Sequence, residues 1–82
     1  MFRGYTIQED KTCKATYSNY STYLDAKYAC DKDLDCYAIH DETCRSKPTV
    51  LSFCHKSEVE DGNKGGPGEP CIYRKSSISN KG

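Results

Sequence analysis

Six cysteines in a chain of 82 residues restrict the fold of this sequence more than any other feature. Their even number can close three disulfide bonds. At this length a hydrophobic core alone supplies little stability, and only 35% of the residues are hydrophobic, with no Trp and two Phe. Each native disulfide in a small secreted domain contributes about 2–4 kcal/mol. The cysteines therefore predict one disulfide-stapled domain from an oxidising, secreted or extracellular compartment.

The charges exclude two classes of function. Twelve Lys and Arg balance twelve Asp and Glu, without a long run of one sign. Nucleic-acid binding and polybasic membrane attachment both need clustered basic residues, so we expect neither. No apolar stretch is long enough to enter a bilayer, and we expect no membrane insertion. The first ten residues lack the apolar region of a signal peptide, which predicts a mature form.

One helix is predicted over residues 21–32. Ser21 or Thr22 can cap its N-terminus, and Asp25 follows Thr22 at the spacing of a capping box. Carboxylates at a helix C-terminus oppose the helix dipole. The aspartates that begin at position 31 therefore predict that the helix ends near Cys30 to Lys32.

Short alternating or β-branched runs predict the strands. They cover residues 2–8, 36–41, 50–56 and 71–75. The polar segment 9–20 is predicted as a loop. Residues 57–70 hold four Gly and two Pro and predict a long flexible loop in which deletions within 62–68 are tolerated. The domain then spans residues 1–75, and 76–82 form a flexible tail.

The cysteine pairing is open from spacing alone, because six cysteines allow fifteen connectivities. Cys36 and Cys44 would close a short loop. If the helix covers the sheet, Cys30 could meet Cys54 on a central strand, which leaves the first and last cysteines for each other. The expected bonds are therefore Cys13–Cys71, Cys30–Cys54 and Cys36–Cys44.

The segment "YLDAKYACDKDLDCYAI" (23–39), followed by Cys44, "SFC" and "CIYRK", resembles the PAN/apple family. That resemblance implies an α+β fold, a short curved antiparallel sheet crossed by one helix. It implies the same three disulfides, with Cys13–Cys71 as a terminal clasp, and a Cys30–Cys36 bond would contradict it. The loop at 57–70 departs from the family pattern, and no ligand-contacting positions transfer.

The acidic turn (31–35) invites a comparison with metal sites. Its aspartates and Glu42 match the carboxylate spacing of an EF-hand, but Cys36 stands where that loop needs Gly, and no second helix follows. The cysteine and histidine spacings lack the close pairs of zinc sites, and no C-x-x-C redox pair occurs. We therefore expect no metal and no cofactor.

Catalysis is not predicted either. His40 and Asp41 are adjacent, but neighbouring side chains in a strand point to opposite faces, which separates a base from an orienting carboxylate. His40 and His55 are expected at the surface. Three disulfides would also leave no free thiol to act as a nucleophile. The sequence therefore predicts a protein that is not an enzyme.

The helix pattern supplies a candidate binding surface. Its sheet-facing residues are predicted to be Tyr23, Ala26 and Cys30. Leu24 and Tyr28 lie one helical turn apart and away from that face, and we refer to them as the helix flank. Tyrosine is enriched where proteins bind partners or stack on sugars. We expect the helix flank, joined by Lys27, to bind the partner.

The resulting functional prediction is an extracellular, non-enzymatic binding module. The family resemblance implies contacts with a protein or a carbohydrate, although a fold alone does not fix which. Two alternatives remain open: a cysteine-rich effector such as a toxin or inhibitor, and a structural matrix or adhesive protein. Asn19-Tyr20-Ser21 is an N-glycosylation sequon, which makes Asn19 a candidate modification site.

Overall fold

The computed structural model describes residues 4–44, 49–62 and 69–75. Within them the chain forms one α-helix, α1 (Tyr23–Lys32), and seven β-strands. The strands are β1 (Tyr5–Gln8), β2 (Lys11–Cys13), β3 (Tyr17–Tyr20), β4 (Ala38–Asp41), β5 (Leu51–Cys54), β6 (Val59–Asp61) and β7 (Cys71–Lys75). A short 3₁₀ turn, Lys56–Glu58, precedes β6.

Five strands form an antiparallel sheet in the order β1-β7-β4-β5-β3. The helix packs across β3, β4 and β5. Thr22 is the N-cap and accepts a hydrogen bond from the backbone N–H of Asp25, as the sequence predicted. The predicted α+β fold, a small disulfide-rich domain with one helix on an antiparallel sheet, is confirmed.

The two faces of the sheet bury different clusters. On the helix face, the main core residues are Ile39, Leu51, Phe53 and Tyr73, which pack against Ala26 and Cys30 of α1. On the outer face, β2 and β6 form an antiparallel pair that we refer to as the ribbon. Cys13 and Val59 of the ribbon pack on the outer-face residues Ala38, Cys54 and Ile72. The ribbon thus gives the sheet a second, smaller core.

All three expected disulfide pairings are wrong. The bonds are Cys13–Cys54, Cys30–Cys36 and Cys44–Cys71, and no cysteine is free. Side chains alternate along β5, so Phe53 faces the helix and Cys54 faces the ribbon. Cys54 therefore meets Cys13 of the ribbon, on the side of the sheet away from Cys30.

The other two bonds follow from the chain path. Cys30 lies in the last turn of α1, and the acidic turn reverses the chain so that Cys36 returns to it. In the sheet, Asp41 of β4 pairs with Cys71 at the start of β7. Cys44 follows β4 closely and so lies beside Cys71. The Cys30–Cys36 bond contradicts the pairing that the PAN/apple resemblance implied.

Two predicted loops contain regular structure. Segment 9–20 includes β2 and β3, and segment 57–70 includes the end of the 3₁₀ turn and β6. The register of β3 shifts at Ser18, whose φ of 60° is unusual for a residue other than glycine. This bulge lets Tyr17 and Tyr20 both pack on the helix-face core. The predicted flexibility of 63–68 and 76–82 lies outside the described residues.

Candidate functional site

The helix flank is exposed while the opposite side of the same helix is buried. Ala26 and Cys30 are fully buried, whereas Leu24 and Tyr28 are 74% and 64% exposed. Burial of Ala26 and Cys30 against the sheet fixes the rotation of α1 about its axis. The two apolar side chains of the flank therefore point to solvent, and the predicted exposure of Leu24 and Tyr28 is confirmed.

The lysine that lies beside the helix flank is not the one that the sequence predicted. Lys27 Nζ lies 2.8 Å from Asp31 Oδ2 and is paired along the helix. Lys32 Nζ lies 4.2 Å from the ring centroid of Tyr28, in cation–π geometry. The cation beside the helix flank is therefore Lys32, which the sequence prediction did not include.

The C-terminal end of α1 is tied to β7 and to the edge strand β3. Lys75 Nζ donates to the backbone oxygens of Cys30 at 2.5 Å and Asp33 at 3.1 Å, which satisfies helix-end carbonyls. The Tyr17 hydroxyl donates to Asp33 Oδ2 at 3.3 Å. Burial, together with the nearby Asp33 carboxylate, raises the pKa of Tyr17 to about 12. These contacts hold the helix flank in a fixed orientation.

Asp31 connects the same helix to the first strand. Its carboxylate accepts from the Tyr5 hydroxyl at 2.8 Å as well as from Lys27. Burial alone would raise the pKa of Asp31, but the hydrogen bonds from Lys27 and Tyr5 outweigh it and lower that pKa. Burial and the bond to Asp31 raise the pKa of Tyr5. The carboxylate thus serves as an anchor between α1 and β1.

A second carboxylate lies in the core beneath the helix. Asp41 is fully buried, and its Oδ2 accepts from the hydroxyls of Tyr23 at 2.7 Å and Tyr73 at 2.9 Å. Its Oδ1 accepts from the Thr49 hydroxyl at 2.6 Å and from the backbone N–H of Thr43 at 3.4 Å. Burial, followed by the Asp41 contact, raises the pKa of Tyr73. This network joins α1 to β4 and β7.

The outer face of the sheet carries a shallow cavity of about 160 Å³ beside the ribbon. We refer to it as the outer-face cavity, and its lining residues are Thr16, Asn19, His40, Glu42, Val50 and Ser52. His40 Nε2 lies 3.1 Å from Thr12 Oγ1 of the ribbon. Burial lowers the pKa of His40, against the opposing effect of Asp41 and Glu42, so the ring is neutral at physiological pH.

The remaining candidate residues are separated by the fold. His40 lies on the outer face and Asp41 on the helix face, so the adjacent pair does not form a base and its orienting carboxylate. His40 is half-buried rather than at the surface, whereas His55 is exposed and stacks on Tyr17. Asn19 is exposed on β3. Sequence reasoning missed the outer-face cavity, although strand alternation places His40 and Ser52 on one face.

Two carboxylates of the acidic turn, those of Asp31 and Asp33, are engaged in separate contacts. Asp31 accepts from Lys27 and Tyr5. Asp33 Oδ1 accepts from the backbone N–H of Asp35 at 2.9 Å, while its Oδ2 accepts from Tyr17. Among residues 4–44, 49–62 and 69–75, no group of three or more His, Cys, Asp or Glu side chains is arranged to hold a metal ion.

In the part of the chain that the structure describes, no helix has the length and hydrophobicity needed to cross a membrane. No protein-family model, curated protein or solved structure matches this chain.

Proposed function

We propose that this protein is an extracellular, non-enzymatic binding module that contacts a partner protein through the helix flank. The observation that carries the proposal is the exposure of Leu24 and Tyr28 on a helix whose opposite side buries Ala26 and Cys30 completely. A large side chain that adds little to its own core is available to be buried in an interface. Tyrosine supplies large contact area at a low cost in conformational entropy.

The surroundings of Tyr28 favour a protein over a glycan. Lys32 lies over the Tyr28 ring and competes for the surface on which a sugar ring would stack. Leu24, one helical turn away, offers an aliphatic surface that suits an apolar side chain. A partner segment with an apolar residue followed by a carboxylate would complement both the helix flank and the charge of Lys32.

The hydrogen bonds at the end of α1 also support this proposal. Lys75 and Tyr17 hold the helix end against the sheet, so the flank is presented by a rigid element. A preorganised surface loses less conformational entropy on binding than a flexible loop does. This difference supports the helix flank as the contact surface.

Disulfide content supports the extracellular location. All six cysteines are bonded, and such bonds persist in oxidising compartments. Membership of the PAN/apple family is a weaker proposal, because the helix across an antiparallel sheet agrees with the resemblance and the disulfide pairing does not. The binding proposal rests on the helix flank and is independent of that family.

The experiment is a comparative capture. The oxidised protein, the double variant Leu24→Ala/Tyr28→Ala and the control Ile7→Ala are immobilised and exposed to extracellular fluid from the source organism. Ile7 is an exposed apolar residue on β1, outside the helix flank. We expect a partner protein retained by the native and control chains and lost with the double variant. Equal retention by all three overturns the proposal, and flank-dependent binding on a glycan array replaces the protein partner with a carbohydrate.

A further inference from the structure

The sequon and the outer-face cavity coincide in space. Asn19, the acceptor residue, is exposed on β3 and forms part of the cavity wall. In the order of the five-stranded sheet β3 is an edge strand. Ser21, whose hydroxyl completes the sequon, is also exposed, at the end of that strand. A modifying enzyme can therefore reach both residues from the side of the sheet.

We propose that Asn19 carries an N-linked glycan and that its first sugar, an N-acetylglucosamine, packs in the outer-face cavity. In the linking step, Asn19 Nδ2 forms a bond to the anomeric carbon of a lipid-diphosphate-linked oligosaccharide. The bond from that carbon to the diphosphate oxygen breaks, the lipid diphosphate leaves with the electron pair, and the amide nitrogen loses one proton to a base of the transferase. No oxidant or reductant is involved.

The cavity lining matches the chemistry of this sugar. N-acetylglucosamine presents hydroxyls, one amide and one methyl group. Glu42 offers a carboxylate to accept from an O–H or N–H, and Ser52 and Thr16 offer hydroxyls that donate or accept. Val50 is 44% exposed and supplies an apolar surface for the acetyl methyl group. His40 completes the polar part of the lining.

The size of the cavity limits the contact to one sugar. Its volume of about 160 Å³ is below the roughly 300–1,000 Å³ of pockets that hold drug-sized ligands. One ring can lie against the lining, whereas the rest of the glycan extends into solvent. Because the sugar is tethered to Asn19, it is held beside the cavity at high effective concentration and needs little affinity of its own.

The glycan leaves the proposed binding surface open. The sheet separates the outer-face cavity from α1, which packs on the other face. The inference rests on the secretory route proposed above, but it does not depend on the helix flank. The glycan therefore lies over the outer-face cavity, on the side of the sheet away from the helix flank.

The test uses the full chain with an added leader, secreted from a eukaryotic host, next to the matched variant Ser21→Ala. This variant keeps Asn19 in the cavity wall but removes the hydroxyl that the sequon requires. We expect a glycan mass on the native chain, removed by peptide:N-glycosidase F, and none on Ser21→Ala. Since the leader is supplied, absence of the glycan overturns this inference without bearing on the helix flank.

A second measurement tests the packing. An endoglycosidase trims the glycan to one N-acetylglucosamine, and nuclear magnetic resonance compares this form with Ser21→Ala. We expect nuclear Overhauser effects between the acetyl methyl group and Val50, chemical-shift changes at Glu42 and Ser52, and unchanged shifts at Tyr28. The trimmed Val50→Ala variant should lose the contact to the methyl group while its sugar remains attached. A sugar that shows no contact to the lining overturns the packing.

Discussion

The buried Asp41 carboxylate supports a quantitative prediction about what holds the helix on the sheet. Asp41→Asn keeps the shape of the side chain but replaces one acceptor oxygen with an NH₂ donor. Oδ2 faces the hydroxyls of Tyr23 and Tyr73, and Oδ1 faces the Thr49 hydroxyl and the Thr43 N–H. Whichever oxygen is replaced, at least one donor loses its acceptor in the core.

The size of the expected loss in stability follows from the type of hydrogen bond that Asp41 accepts. A hydrogen bond to a charged group contributes about 1.5–3 kcal/mol, and an unsatisfied buried partner adds to the loss. We therefore expect Asp41→Asn to lower the free energy of unfolding by at least about 1.5–3 kcal/mol. For a domain of this size, each kcal/mol lowers Tm by roughly 4–8 °C. Tyr73→Phe, which removes one donor, should cost a similar amount, and Tyr23→Phe less, since Tyr23 is half-buried.

The assay is urea unfolding with the disulfides intact, followed by far-ultraviolet circular dichroism. Glu42→Gln is the matched control, an exposed carboxylate one residue away, and should change stability by less than about 0.5 kcal/mol. The Asp41→Asn and Tyr73→Phe substitutions should also couple in a double-mutant cycle by about 0.5–3 kcal/mol. If Asp41→Asn unfolds at the same urea concentration as Glu42→Gln, the network does not stabilise the fold.

Three further predictions concern solution conditions. Folding raises the pKa of Tyr5, Tyr17 and Tyr73, so these tyrosines lose their protons at lower pH in the unfolded chain than in the folded one. The free energy of unfolding should therefore fall above a pH of about 10. An absorbance titration in which all tyrosines ionise below the pH of unfolding would refute this prediction. Folding lowers the pKa of His40 from 6.5, so as the pH falls the unfolded chain takes up a proton at this residue before the folded chain does. Tm should therefore drop between pH 7.5 and 5.5 in the native chain, and much less in His40→Gln. Millimolar calcium, zinc or EDTA should leave Tm unchanged, and a rise of several degrees with calcium would reveal a site at the acidic turn.

Local signals in the sequence were sufficient for the helix and its exposed flank. The Thr22 cap and the aspartates after position 30 define the two ends of α1 within a few residues. The 3.6-residue period separates Ala26 and Cys30 from Leu24 and Tyr28 without knowledge of the partner strands. The exposure of the flank could therefore be predicted from one segment of the chain.

The disulfide pairing depends on which face of the sheet each cysteine occupies. Alternation along β5 puts Leu51 and Phe53 on the helix face and Cys54 on the outer face, which excludes a bond between Cys54 and Cys30. Its partner, Cys13, belongs to a three-residue strand with polar neighbours, which lacks a recognisable strand pattern. The ribbon forms by contacts between segments that are distant in the sequence, so no local sequence pattern predicts it.

The burial of Asp41 could not be predicted from the sequence for a different reason. Alternation from Ile39 puts Asp41 on the helix face, yet aspartate is almost never fully buried unless it is paired. Its partners, Tyr23, Thr49 and Tyr73, come from three separate segments that meet only in the folded chain. The composition shows seven tyrosines, but the sequence does not tell which of them donate to a buried carboxylate.

Binding by the helix flank is tested most directly with Tyr28→Ala and the captured partner. Isothermal titration gives the Kd of the native chain, Tyr28→Ala and the control Ile7→Ala, and a thermal melt of the same samples gives their stability. We predict that Tyr28→Ala weakens binding at least about tenfold, equivalent to about 1.4 kcal/mol, with an unchanged Tm. An unchanged Kd, or a Tm lowered by several degrees, would contradict the proposal that Tyr28 is exposed to serve a partner.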